Sequence, residues 1–230
     1  MLAQSGYSQS THGRPALGPT RRPPPVTAHS LDGTIEMIGA SMVFPRNAEI
    51  FGESEPAEYL YKVVSGAVRT YKILSDGRRQ IGGFYLAGEV FGLENGDEHS
   101  LSAEAVSETR VLVVKRSALF ALAERDSEIA RQMWALTSHE LHRLQNHVLA
   151  LVKTAKERVV GFLLEMAKRA PSGNRVELPM SRQDIADYLG LTIETVSRTL
   201  TQLESTAAIA LPNARCFELR DRGALGRLRG

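Results

Sequence analysis

The 230-residue chain holds a single cysteine, Cys216. One thiol cannot build an internal disulfide framework, and there is no cysteine cluster to hold a metal. No run approaches the roughly 18 consecutive apolar residues that a membrane-spanning helix needs. The first thirty residues lack the apolar core of a secretion signal. Arg21 and Arg22 form a twin pair, but Pro23, Pro24 and Pro25 follow where a hydrophobic segment would stand. A cytoplasmic protein without membrane contact is expected. Catalytic patterns are missing as well. There is no Ser-His-Asp order, no metal-ligand cluster and no phosphate-binding glycine loop, so nothing points to an enzyme or a cofactor.

What is present suits a globular protein. An apolar fraction of 43% is enough for a sizeable core. The formal charge of +2 is unevenly spread: residues 1–150 carry 15 Lys+Arg against 17 Asp+Glu, and residues 151–230 carry 13 against 9. A basic C-terminal third fits a nucleic-acid partner.

Four zones follow along the chain. Residues 1–30 are rich in Ser, Gly, Pro and Thr and cannot bury enough apolar surface to offset ordering entropy, so a flexible arm is expected. Residues 31–126 form a β-rich zone. Short Val-, Ile- and Tyr-rich runs at Tyr59–Val64, Ala67–Leu74, Gln80–Tyr85 and Arg110–Val114 alternate with glycine turns, Ser75-Asp76-Gly77 being the strongest hairpin signal. Many short strands punctuated in this way predict a sandwich or barrel. A short helix is expected over residues 117–124.

Residues 127–154 lack Gly and Pro and predict one long helix. Trp134, Thr137, Leu141, Leu144, Val148, Leu151 and Ala155 recur at 3-4-3-4 spacing, as in a coiled-coil seam. A seam needs a partner, so Trp134, Leu141, Leu144, Val148 and Leu151 are the expected dimerisation residues of a homodimer. A second stripe with Ile129, Met133 and Leu136 is free to pack on the β domain. His139 and His142 stand three apart on this helix, a pair read as solvated rather than as a haem site.

The remainder, residues 155–230, predicts a winged helix-turn-helix domain. Lys156–Arg169 is amphipathic, and Val176-Glu177-Leu178 is a brief strand. Ser181-Arg182-Gln183-Asp184 is a capping box, whose hydroxyl and carboxylate satisfy the first helical N–H groups. Gly190 stops that helix, because glycine takes the left-handed cap conformation at little cost. Thr192 caps a second helix running from Ile193 to about Glu204. Its exposed face presents Glu194, Ser197 and Arg198. Arg can bond guanine O6 and N7 together, and Glu can accept from cytosine N4. Ile209–Leu211 and Cys216–Leu219 predict a hairpin wing. Ser181, Arg182, Thr192, Thr195 and Arg215 join Glu194, Ser197 and Arg198 as candidate DNA contacts. Cys216, beside Arg215 in the wing, is a candidate redox-sensitive thiol.

This order of parts resembles the cAMP-receptor/FNR family of bacterial transcription regulators. The most specific element is Ile193-Glu194-Thr195-Val196-Ser197-Arg198, similar to the FNR recognition helix with its Glu-x-x-Ser-Arg signature. Gly66-Ala67-Val68 through Gly88-Glu89-Val90-Phe91-Gly92 is similar to the family's jelly roll. The resemblance implies an α+β architecture: an N-terminal β jelly roll like that of cyclic-nucleotide-binding domains, a long dimerisation helix and a C-terminal winged helix-turn-helix. It implies a dimer on inverted TTGA-like half-sites, and activation through contact with RNA polymerase.

Two departures narrow the branch. Between Phe91 and Ser107 there is no arginine to hold a cyclic phosphate, and Asp97 and Glu98 would repel one. No cysteine precedes Cys216, so the iron–sulfur sensor of FNR has no ligands. An FNR-type reading head with neither sensor resembles the FixK branch, which implies control of genes for microaerobic respiration, nitrogen fixation or denitrification. The alternative is a regulator whose β domain senses an unidentified small molecule.

Overall fold

The computed structural model describes residues 30–169 and 174–228. The expected arm therefore lies, apart from Ser30, outside the described residues, as do Pro171 to Gly173 and Arg229.

The β zone opens with a helix that the strand-rich reading missed. The Ser30 hydroxyl accepts a hydrogen bond from Gly33 N–H at 3.0 Å and starts α1, Leu31–Ile38. Leu31 and Ile35, four apart, are its buried face. From within the β domain, the buried Lys62 Nζ reaches out to Asp32 and Glu36 at 2.8 and 2.9 Å and pins the helix down.

Eight strands follow: β1 Ala40–Phe44, β2 Glu49–Phe51, β3 Tyr59–Ser65, β4 Ala67–Ile73, β5 Arg79–Leu86, β6 Val90–Phe91, β7 Ser102–Ala105 and β8 Thr109–Lys115. They form two antiparallel sheets ordered β1-β8-β3-β6 and β2-β7-β4-β5. Phe51, Tyr61, Val63, Val68, Phe91 and Val111 fill the space between them. Gly66, at φ +84°, turns β3 into β4, and a Cβ there would collide with the Glu108 carbonyl. The Ser75-Asp76-Gly77 turn joins β4 to β5 as expected, with Gly77 at φ +82°.

Helix α2, Arg116–Ala123, leads into α3, Ser127–Leu151. Asp126 caps α3 by accepting from Glu128 N–H at 2.9 Å. At 25 residues α3 spans about 37 Å. Ile129 is buried, and Met133 and Leu136 pack with it on the core that holds Leu31, Leu60 and Leu119. Further along this inner side, Arg143 lies flat on β5. Its guanidinium stands 4.9 Å from the Tyr85 ring centre and occupies the space where Gly83 would carry a Cβ.

The long helix is three residues shorter than expected, ending at Leu151 rather than Thr154. The reason is a second capping box. Thr154 Oγ1 accepts from Glu157 N–H at 3.3 Å, and Glu157 Oε2 accepts from Thr154 N–H at 2.8 Å, which starts α4, Ala155–Arg169. Residues 152–154 are left as a link.

The seam residues project away from the chain's own core. Trp134 is 75% exposed, Leu141 56%, Leu144 42% and Val148 62%, while Leu151 is half-buried. A continuous apolar strip of this kind on one helix face is the expected surface for a second copy. Leu144→Glu should bury an unpaired charge in that seam at a cost of several kcal/mol. Light scattering at micromolar concentration should then report a monomer, and a variant that stays dimeric would remove this seam as the interface.

Candidate nucleic-acid interface

The C-terminal domain is built around α5, Arg182–Leu189, and α6, Ile193–Ser205. The capping box forms in both directions. Ser181 Oγ accepts from Asp184 N–H at 3.1 Å, and Asp184 Oδ2 accepts from Ser181 N–H at 2.9 Å. Gly190 adopts φ 62° and ψ 41° and ends α5, and Leu191 N–H bonds back to the Ala186 carbonyl at 3.0 Å. Ala186 is fully buried where the helices cross. Thr192 then caps α6, accepting from Thr195 N–H at 3.2 Å. The resulting layout is helix, tight turn, helix.

Burial of Val196, Leu200 and Leu203 fixes which way α6 faces. Glu194 and Arg198 are exposed, and Ser197 is half-buried at the edge of the same face. Arg182 reaches across from α5, its Nη1 donating to Ser197 Oγ at 3.4 Å. Its own backbone N–H and the Thr192 hydroxyl hold the Glu194 carboxyl below its usual range, with Arg198 adding to the effect. Among the described residues neither Glu194 nor Arg198 is engaged in an ion pair within 4 Å. The same face continues through Thr201, Gln202 and Ser205. Sequence reasoning missed these, although their spacing of three, four and seven from Arg198 was the signal.

The wing forms from β10, Ile209–Asn213, and β11, Cys216–Leu219, with β9, Arg175–Glu177, as its third strand. Arg215 stands exposed in the wing turn. Glu204 Oε1 accepts from Leu211 N–H at 3.0 Å and ties the wing to α6. Arg182 at the start of α5 thus meets Ser197, which shares the first two turns of α6 with Glu194, Thr195 and Arg198, while Thr192 caps α6, Ser181 caps α5 and Arg215 stands on the wing. The basic end beyond the wing is a helix, α7, Arg222–Leu228, anchored by the buried Leu225. Gly223 and Gly226 had hidden it.

Cys216 sits in the wing and is 3% exposed, beside Arg175 of the neighbouring strand β9. Burial removes the access that oxidation requires.

In the β domain, Arg116 occupies the loop that departs from the cyclic-nucleotide pattern. Its guanidinium donates to the carbonyls of Ala57, Glu94 and Gly96 at 2.6 to 2.9 Å. Next to it His99 is buried and stacked on Phe51 at 3.6 Å, and burial lowers its pKa. His139 and His142 lie exposed on α3, and among the described residues no group of three His, Cys, Asp or Glu is placed to hold a metal.

A winged helix-turn-helix joined to a β jelly roll by a long helix with a free apolar seam defines a DNA-binding transcription regulator. Residues 157–228 match the Crp-like helix-turn-helix domain, and residues 41–126 match the cyclic nucleotide-binding domain. The nitrogen fixation regulation protein FixK of Azorhizobium caulinodans is 55% identical over 200 residues, which cover 84% of this chain and 81% of that protein. The transcriptional activatory protein AadR of Rhodopseudomonas palustris is 39% identical over 172 residues, covering 73% and 72%. The solved structure of FixK2 from Bradyrhizobium japonicum superposes with a TM-score of 0.81 at 51% identity, covering 84% of this chain and 98% of that one. The chain belongs to the CRP/FNR family of transcription regulators, in its FixK-type branch. These relatives are regulators and not enzymes, and among the described residues no helix is long and apolar enough to cross a membrane.

The buried thiol carries a prediction. Folded protein should resist thiol-labelling reagents and peroxide, and Cys216→Ser should bind DNA as the parent does. Labelling with and without denaturant checks this, and fast reaction of the folded protein would contradict the burial.

Proposed function

We propose that the chain is a cytoplasmic homodimeric activator of genes for microaerobic respiration, nitrogen fixation or denitrification. It binds an inverted repeat of TTGA-like half-sites and contacts RNA polymerase from there. The observation that carries the reading is the exposed, ion-pair-free face of α6, with Glu194, Ser197 and Arg198 in the Glu-x-x-Ser-Arg order. The FixK and AadR relatives support the choice of pathway. Arg198 donates to guanine O6 and N7, and Glu194 accepts from the paired cytosine's amino group. Ser181, Arg182, Thr192, Thr195 and Arg215 meet the phosphates on either side. A dimer across the α3 seam sets the two heads against half-sites about one helical turn apart.

Selection of bound DNA from a random pool tests the scheme directly, and an inverted TTGA-like repeat is the expected winner. Arg198→Ala should lose roughly 1–3 kcal/mol on that site and flatten discrimination at the G·C pair. Arg215→Ala should weaken all sequences alike and lower the salt slope by about one. The measurement is binding to single-base variants at two salt concentrations. A uniform loss with Arg198→Ala, base preference intact, would remove Arg198 as the base reader.

A further inference from the structure

The link between α3 and α4 is three residues long and not helical, so the long helix cannot by itself dictate where the reading head points. Side chains of the β jelly roll make that connection instead. Arg69 on β4 donates to Asp184 Oδ1 at 3.0 Å and to Glu104 Oε1 at 2.8 Å. Arg79 on β5 donates from Nη2 to Asp184 Oδ1 at 2.6 Å and from Nε to Asp187 Oδ2 at 2.8 Å. The Arg69 and Asp184 side chains are 9% and 5% exposed. At the far end of the head, Arg169 on α4 donates to both carboxylate oxygens of Glu89 and to the Phe84 carbonyl on β5.

Asp184 and Asp187 lie three apart on one face of α5, and a single guanidinium holds both. Apolar contacts alone let a helix roll in its groove, whereas two hydrogen-bonded points on one face fix its rotation about its own axis. Helix α6 is packed on α5 through the buried Ala186 and Val196, so it turns with α5.

We propose that Arg69 and Arg79 are positioning residues for DNA binding. They touch no DNA. They clamp α5 through Asp184 and Asp187, so that the two heads of the dimer meet half-sites at one spacing only. The inference rests on the dimeric inverted-repeat reading above and adds to it which residues set the spacing. Changing the spacer by one base pair rotates and shifts one half-site relative to the other. A clamped head cannot follow that change, while an unclamped one can.

The test uses the full-length protein and a palindrome whose spacer is native, one base pair longer or one shorter, together with single-base changes inside the half-site. Arg79→Gln breaks the shared contact but leaves Arg69 on Asp184, so the capping box keeps a charged partner. The parent should discriminate sharply between spacers. In Arg79→Gln the penalty for the altered spacer should shrink by roughly tenfold in affinity ratio, the equivalent of losing one good charge-assisted contact. Base preference within the half-site, dimer mass and thermal midpoint should be retained. Arg79→Lys, which keeps a cation in place, should restore most of the spacing preference. Asp187→Asn breaks the same pair from the other domain, should give the same result, and serves if Arg79→Gln fails to fold. Unchanged spacing preference in folded Arg79→Gln or Asp187→Asn would overturn the proposal. So would a loss of base preference in step with spacing preference, since that would mean damage to the head itself. A parent protein with no affinity for inverted repeats would instead refute the reading on which the proposal rests.

Discussion

The Asp184 carboxylate is the point on which the arrangement depends. One oxygen closes the capping box that begins α5, and the other receives guanidinium groups from two strands of the β domain. Burial opposes the charge, but the Ser181 N–H and hydroxyl, then Arg69 and Arg79, outweigh it and keep the group ionised below its usual range. Local helix formation and the docking of one domain on another thus share a single group. Removing it would unsettle both at once, with the additional cost of leaving Arg69 buried beside only Glu104.

Such a cluster is a poor way to gain stability. Well-packed apolar side chains of similar volume commonly do as well as a buried ion pair or better. Its distinguishing property is direction. The same interface also contains a continuous apolar core, in which Ala67, Ile81, Phe84 and Val106 of the β domain lie against Phe162, Ile185, Tyr188 and Leu189 of the head. Phe84 and Tyr188 stand 5.4 Å apart, and His147 of α3 stacks on the other side of Tyr188 at 4.1 Å. The core supplies adhesion, and the charges specify the orientation. Burial works against the charge of Arg143, but Glu140 outweighs it and raises its pKa, and the guanidinium, lying on Gly83, links α3 to the same strand. Strand β5 is therefore held by both the long helix and the reading head.

Much of this was legible from residues. Periodicity found α3 and its outward seam. Cap chemistry found α5 and α6, and the Ser-Asp-Gly turn found the β4–β5 hairpin, because each of these signals is local. The losses have physical reasons. Strands β1, β2 and β7 are short and lack a Val- or Ile-rich run, as Ser102-Ala103-Glu104-Ala105 illustrates. Helices α1 and α7 contain or adjoin glycines. The early end of α3 was in principle readable, since Thr154 and Glu157 have capping-box spacing, but the seam pattern carries on past it to Ala155. The contacts of Arg69 with Asp184 span 115 positions in the chain, and no local pattern marks an arginine on a strand as the partner of an aspartate in a distant cap. Burial of Cys216 was equally invisible, since the wing's third strand comes from before α5.

The shared core has a consequence for modularity. The two regions that match separate domain families share one hydrophobic cluster, with Ile81 and Phe84 of the first packed among Phe162 and Tyr188 of the second. Grafting this reading head onto the β domain of another regulator would leave Tyr188 and Phe162 facing a surface not shaped for them. Arg69, Arg79 and Phe84 would have to travel with the head, even though they lie about a hundred residues upstream of α5. The unit that can be exchanged intact is therefore three-dimensional: the head together with the β4–β5 hairpin it rests on.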